Sequence, residues 1–181
     1  TTAAALLLAR FGSVHGLARA APEELARARV PLRRAAQLHA ALELGRRTIT
    51  EPLRRGTPLT DAHQAERIMQ ARLAARDQEE LHVIGLDVRH RVVVEFVAAV
   101  GGIAEVRIDP RDVFRPLLRH NAFAAIVVHN HPSGAPSPSD CDDELTRRLA
   151  AAGQVVGVAI LDHIIVGVEG AFSFARHGRM G

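Results

Sequence analysis

Hydrophobic and polar positions change their period once along the chain, near residue 77. Before that point the spacing is helical. Leu6, Leu7, Leu8 and Phe11 give one apolar face. Pro22-Glu23-Glu24 opens a second helix, with Pro near its first position and acids at the positive end of the dipole. Leu32, Ala35, Ala36, Leu38, His39 and Leu42 trace a third, whose pattern stops at Gly45. Residues 48–60 hold two Pro, one Gly and no period, and read as a linker. Thr60 or Asp61 then caps a helix to about Arg76, apolar at Ala65, Ile68, Met69 and Leu73.

After residue 77 the runs become β-branched. Leu81–Val88 and Arg91–Val100 read as strands joined at Arg89-His90 in a hairpin, and residues 103–108 as a third strand. Asp109-Pro110 starts a helix to about His120, with Val113, Phe114, Leu117 and Leu118 on one face. The continuous apolar run Ala122–Val128 suits a fully buried strand. A loop over 130–138 follows, then a helix from Ser139 to Ala152 ending at Gly153. Val155–Ile160, Ile164–Val168 and Phe172–Phe174 read as the last strands. This alternation predicts an α/β domain over 61–181, a mixed sheet flanked by helices, preceded by a small all-helical domain over 1–47.

Composition narrows the chemistry. The chain has 181 residues, 48% hydrophobic and 24% charged, as in a globular protein of one ordinary or two small domains. Aromatic residues are 3%, with no Trp or Tyr, which disfavours recognition by base stacking. All 23 basic residues are Arg, so Schiff-base lysine chemistry and a lysine-bearing phosphate loop are excluded. The single Cys rules out an internal disulfide, a Cys-rich zinc site and a CxxC pair. Residues 1–60 carry ten Arg against four acids, whereas 61–181 carry thirteen against sixteen. That asymmetry suits a basic module joined to a different one, or equally the Arg-rich surface helices of a GC-rich genome. No apolar stretch approaches the roughly 18 residues of a membrane span. With no signal segment in view, the expectation is an intracellular, cytoplasmic protein without a membrane partner. Residue 1 is Thr, which reads as processing, cleavage or a fragment.

The informative segment is residues 127–142. His129 and His131 stand at i and i+2 at the end of an extended run, which sends both imidazoles to one side. A Pro/Gly/Ser loop returns the chain, Ser139 opens a helix, and Asp142 follows three residues later. Two neutral imidazoles and one carboxylate suit a catalytic zinc with its fourth position open. Asp142 would also meet the positive end of the helix dipole. Each element has a plainer reading. A His-x-His pair is often incidental, Ser139 and Asp142 make a capping box, and the Pro and Gly residues are ordinary loop chemistry.

As a set, His129-x-His131-Pro132, six residues, Ser139, two residues and Asp142 resembles the JAMM (MPN+) metalloprotease motif. With Leu161-Asp162-His163-Ile164-Ile165-Val166-Gly167 added, the segment resembles the RadC-like branch of that family, often labelled a DNA repair protein. The likeness spans residues 77–175. It implies an MPN/JAB fold, three-layered like cytidine deaminases. It implies Zn2+ held by His129, His131 and Asp142, with Ser139 donating a hydrogen bond to the substrate carbonyl or its oxyanion. It also implies a Glu general base within Asp77-Gln78-Glu79-Glu80, where the family pattern of Gln-Glu before an apolar strand selects Glu79, with Glu80 the alternative. The implied reaction is hydrolysis of an amide or isopeptide bond in a peptide or protein substrate. Base deamination is disfavoured, because its H-x-E…P-C-x-x-C signature would need a Glu where His131 stands and more than one Cys.

Around this set, Asn130 is expected to point away from the ligands as a hydrogen-bonder, Cys141 to be a buried structural residue, and His163 to be a core or ligand-supporting histidine. Residues 5–45 resemble the helical N-terminal region of RadC-like proteins, a helix-hairpin-helix unit, through Phe11-Gly12-Ser13 and Ala41-Leu42-Glu43-Leu44-Gly45. Such units grip DNA phosphates with Gly-x-Gly amides. Here the turn reads Ala28-Arg29-Val30-Pro31, without Gly and with one amide donor removed. What remains is weak, non-specific DNA contact through Arg. The alternative function is therefore a DNA-associated accessory or repair protein with a structural or vestigial metal site; a metal-dependent nuclease is a more distant third.

Overall fold

The computed structural model describes residues 3–59, 61–101 and 108–181. It divides into two compact units, residues 1–51 and 52–181. In the first, helices α1 (Ala3–Phe11), α2 (Val14–Arg19), α3 (Pro22–Arg27) and α4 (Leu32–Thr50) enclose Leu17, Ala20, Leu25 and Ala35. The Ser13 hydroxyl caps α2 by accepting the Gly16 N–H at 2.9 Å. Between α3 and α4 the turn places Arg29 at φ 61°, a conformation glycine favours, and Pro31 is the N-cap of α4. The sequence pattern stopped this helix at Gly45, but α4 runs on to Thr50, so the first residues of the expected linker are helical. One glycine costs a helix only about 1 kcal/mol, and the Glu43–Arg47 pair at 2.8 Å spans it.

The second unit is a five-stranded sheet in the order β2-β1-β3-β4-β5. The strands are β1 (Glu80–Leu86), β2 (Val92–Val100), β3 (Ala124–Asn130), β4 (Ala159–Gly167) and β5 (Gly170–Ser173). β3 and β4 are parallel; the other pairings are antiparallel. Helix α5 (Ala62–Leu73) covers one face through Ala65, Met69 and Leu73, against Ile84, Ile126, Val128, Ile164 and Val166. Helices α6 (Pro110–Arg119) and α7 (Asp140–Val156) cover the other through Val113, Phe114, Leu117, Leu145 and Leu149, against Leu81, Val83, Ala125 and Val127. The unit is thus a mixed sheet between helical layers, with β3 at its centre and buried along its whole length.

Several boundaries differ from the sequence pattern. The strand read over 103–108 falls largely outside the described residues. Helix α7 passes through Gly153 because that residue is needed for close packing rather than for a stop. A Cβ there would lie 2.5 Å from the Val158 carbonyl oxygen and 3.4 Å from Phe114. The stop is Gly157, at φ 75°, whose N–H donates to the Gly153 carbonyl. Residues 155–156 are therefore helical, and the two strands expected over 155–168 are one, β4. Asp162, which broke the pattern, is buried within it and accepts from the Ser173 hydroxyl at 2.6 Å and the Ala175 N–H at 2.9 Å. Burial pushes its carboxyl pKa up against those two bonds. Among the described residues, no helix is long and apolar enough to cross a membrane.

The chain end folds back on this unit. Arg179 lies 5.6 Å from the ring centroids of Phe172 and Phe174 and donates to Asp143 in the first turn of α7. The loop over 131–138 is fastened at the end of β4: the His131 N–H donates to Val166 O at 3.0 Å, and the Glu169 N–H to Gly134 O at 3.1 Å. A Cβ on Gly167 would meet Gly134 O at 2.1 Å, backbone against backbone. Gly167→Ala is expected to lower stability by about 1–3 kcal/mol, the usual cost of overpacking, read from the midpoint of urea unfolding. An unchanged midpoint would mean the loop yields freely.

Candidate metal centre

Strand alternation sorts the residues of interest onto opposite faces. On β3, Ala125 and Val127 face α6 and α7, so His129 does too, whereas Ile126 and Val128 face α5 and Asn130 follows them. On β1, Leu81 and Val83 face α6 and α7, and Glu79, two residues before Leu81, shares that parity. Glu80 has the opposite parity and pairs with His82 at 2.9 Å and Arg76 at 3.7 Å. Glu79 is therefore the acid that meets the imidazoles.

The oxygen and nitrogen atoms of Glu79, His129, His131 and Asp142 converge so that one donor atom from each lies within 4.8 Å of all the others. His129 Nε2 is 3.0 Å from His131 Nε2, 3.1 Å from Asp142 Oδ1 and 3.9 Å from Glu79 Oε1. His131 Nε2 is 3.5 Å from Asp142 Oδ2. On its far side, His131 Nδ1 lies 3.0 Å from the Ala135 carbonyl oxygen. A carbonyl only accepts, so Nδ1 carries a proton and neutral His131 presents a lone pair at Nε2. Two carboxylates and an imidazole lone pair thus face one point beside a second imidazole nitrogen 3.0 Å away. A set so rich in acceptors needs a cation or a proton at its middle, and N and O donors from two His, one Asp and one Glu are those a divalent transition metal takes.

Asp142 is the third helical residue of α7. Ser139, the N-cap, accepts the Asp142 N–H at 3.3 Å, and the Ser139 N–H and hydroxyl both donate to Asp142 Oδ2 at 2.7 Å. The capping box and the ligand arrangement are thus one structure. Burial raises the Asp142 pKa, but hydrogen bonds from His129, His131 and Ser139 outweigh it and hold the carboxyl well below the usual carboxylate range. The same bond to Asp142 raises the pKa of His131 against partial burial. Cys141 is exposed, not buried as the sequence suggested. The inward face of α7 is Asp142, Leu145, Thr146, Leu149 and Gly153, and the neighbour of Asp142 turns away from it.

Three residues support the centre: His163 and Asn130, which the sequence had singled out beside it, and Thr146, which it had not. His163 is fully buried, with Nε2 2.8 Å from His129 Nδ1 and Nδ1 2.6 Å from the Thr146 hydroxyl, and it stacks on Phe174. Burial first, then the neighbouring His129, pushes its pKa well below the ordinary value, so it stays neutral. Asn130, also fully buried, accepts the Glu80 N–H at 2.9 Å and donates to Gln78 O at 3.0 Å. Those two bonds straddle Glu79 and set the backbone that carries it. Thr146 had no sequence signal; only its place one helical turn after Asp142 could have raised it.

Comparison with known proteins agrees with the motif. The family model described as RadC-like JAB domain matches residues 59–179. A protein of Nitrosococcus oceani, named UPF0758 protein, is 40% identical over 173 residues, covering 95% of this chain and 77% of its own. A UPF0758 protein of Thioalkalivibrio sulfidiphilus is 41% identical over 173 residues, with 95% and 77% covered. One from Ralstonia nicotianae is 38% identical over 175 residues, with 96% and 78% covered. None of these names states an activity.

Asn130→Ala would remove the side-chain partner of the Glu80 N–H and of the Gln78 carbonyl, on either side of Glu79. Unfolding in denaturant should show a loss of about 1–3 kcal/mol; wild-type stability would mean that water replaces the amide without cost.

Proposed function

The chain belongs to the family of RadC-like JAB domains, and on that premise we propose that it is a zinc-dependent hydrolase of amide or isopeptide bonds in a peptide or protein substrate. The observation that carries this reading is the convergence of Glu79, His129, His131 and Asp142 within 4.8 Å. His129, His131 and Asp142 would hold the cation. Zn2+ bound there would act as a Lewis acid and lower the pKa of water.

The remaining steps belong to the chain's own side chains. Glu79 keeps 17% of its side chain exposed beside the fully buried His129, so it reaches both the centre and solvent. As general base it takes a proton from the attacking water as the new C–O bond forms. It returns that proton to the amine nitrogen as the C–N bond breaks. Ser139 spends its hydroxyl proton on Asp142 Oδ2 at 2.7 Å. With Asp142 engaged by a cation, that proton becomes available to the oxyanion of the tetrahedral state. Asp142 keeps a second donor, the Ser139 N–H, when the hydroxyl turns away.

The rival reading, a structural or vestigial metal site in a DNA-associated protein, differs in one measurable respect. Metal analysis of the purified chain should find about one zinc per chain. Glu79→Gln should keep that zinc and lose hydrolysis of a peptide and isopeptide library by about 10²–10⁴-fold. Absence of zinc, or turnover indifferent to Glu79, would sink the hydrolase reading.

A further inference from the structure

His129 Nδ1 faces another imidazole nitrogen, His163 Nε2, at 2.8 Å. One of the two must carry the proton, and the pair by itself does not say which. The choice matters because neutral His129 can offer Nε2 to a cation only if its proton sits on Nδ1. The answer lies two groups away, on α7. The Thr146 hydroxyl is 2.6 Å from the Asp142 carbonyl oxygen and 2.6 Å from His163 Nδ1. It has one proton to give. The carbonyl can only accept, so the proton goes to Asp142 O, the bond a helical Thr commonly makes to the carbonyl four residues before it. The hydroxyl oxygen then accepts from His163 Nδ1–H. Neutral His163 is left with a lone pair on Nε2, and that lone pair accepts from His129 Nδ1–H. The reverse order would set the hydroxyl and carbonyl oxygens against each other at 2.6 Å with no proton between them. His129, His163, Thr146 and Asp142 are all buried, so water is not there to relieve such a contact.

We propose that Thr146 and His163 form a buried relay that fixes a proton of His129 on Nδ1 and so reserves its Nε2 for the centre. Both are positioning residues. The relay starts at the main chain of one candidate ligand, Asp142, and ends on the ring of another, His129, thereby tying α7, β4 and β3 together at the metal. Its purpose rests on the reading of this centre as a metal site, but its direction is a property of the metal-free chain.

Two measurements test it. Long-range 1H–15N correlation spectra of the metal-free, histidine-labelled protein at neutral pH should show His129 protonated at Nδ1, and His163 protonated at Nδ1 and bare at Nε2. A bare His129 Nδ1, or a proton on His163 Nε2, overturns the proposal. Chelator-competition titration with zinc should show Thr146→Val raising the dissociation constant about 10- to 100-fold, the usual cost of losing a ligand's outer partner. In its metal-free spectrum part of the His163 population should move its proton to Nε2. Thr146→Ser, which keeps the hydroxyl, should restore wild-type affinity and spectrum. A folded Thr146→Val with wild-type affinity overturns the relay. Should that variant not fold, the wild-type spectrum still decides. A chain that binds zinc and shows the stated tautomers but cleaves nothing defeats the hydrolase reading alone; a proton on His163 Nε2 in an active enzyme defeats the relay alone.

Discussion

A fully buried imidazole must find a partner for each ring nitrogen, because a polar atom left unpaired away from water costs about 1–3 kcal/mol. His129 is such a residue, and the architecture of this unit can be followed outward from its two nitrogens. One side leads to His163 and Thr146, hence to β4 and α7. The other leads to His131, Asp142 and Glu79, hence to the loop after β3, the first turn of α7 and the start of β1. Both partners of a single ring thus recruit every element that borders the centre. The strand that carries His129 is covered on both faces, so the ring could reach neither partner from a partly solvated sheet.

Alternation along β3 divides the labour between neighbours. His129 faces α7 and contributes chemistry, while Asn130, one residue on, faces α5 and holds the backbone on either side of Glu79. The same parity on β1 turns Glu79 inward and Glu80 toward His82 and Arg76. Specificity between adjacent glutamates therefore needs no special device; it follows from a strand's period of two. The loop over 131–138 adds rigidity of another sort. Its main chain lies directly against Gly167, and His131 is held at Nδ1 by Ala135 and at its own N–H by Val166.

Much of this was legible in the residues. The apolar run before His129 announced a buried strand, and the spacing of His129, His131, Ser139 and Asp142 announced the centre. Helix α6 kept the start its pattern gave and buries Val113, Phe114 and Leu117, but Leu118, expected on the same face, is exposed. What the pattern misread were residues whose local meaning is overruled at a distance. Gly45 and Gly153 look like stops but lie inside helices, the second because Val158 and Phe114 crowd it. Asp162 looks like a break but is paid for by Ser173 and Ala175. Cys141 looks like core by type and is exposed by helical phase. His163, Thr146 and Asn130 act through register between strands and helices far apart in sequence, which no local period encodes.

The closing of Arg179 onto Phe172, Phe174 and Asp143 bears on how this unit assembles. The first residue of the centre is Glu79, and the contact that braces the turn next to Asp142 is made by Arg179. No shorter stretch of chain contains the whole arrangement. Contacts between partners so distant in sequence carry the entropic cost of closing the whole intervening chain. A cation held there would in turn hold shut the very chain closure that creates its site.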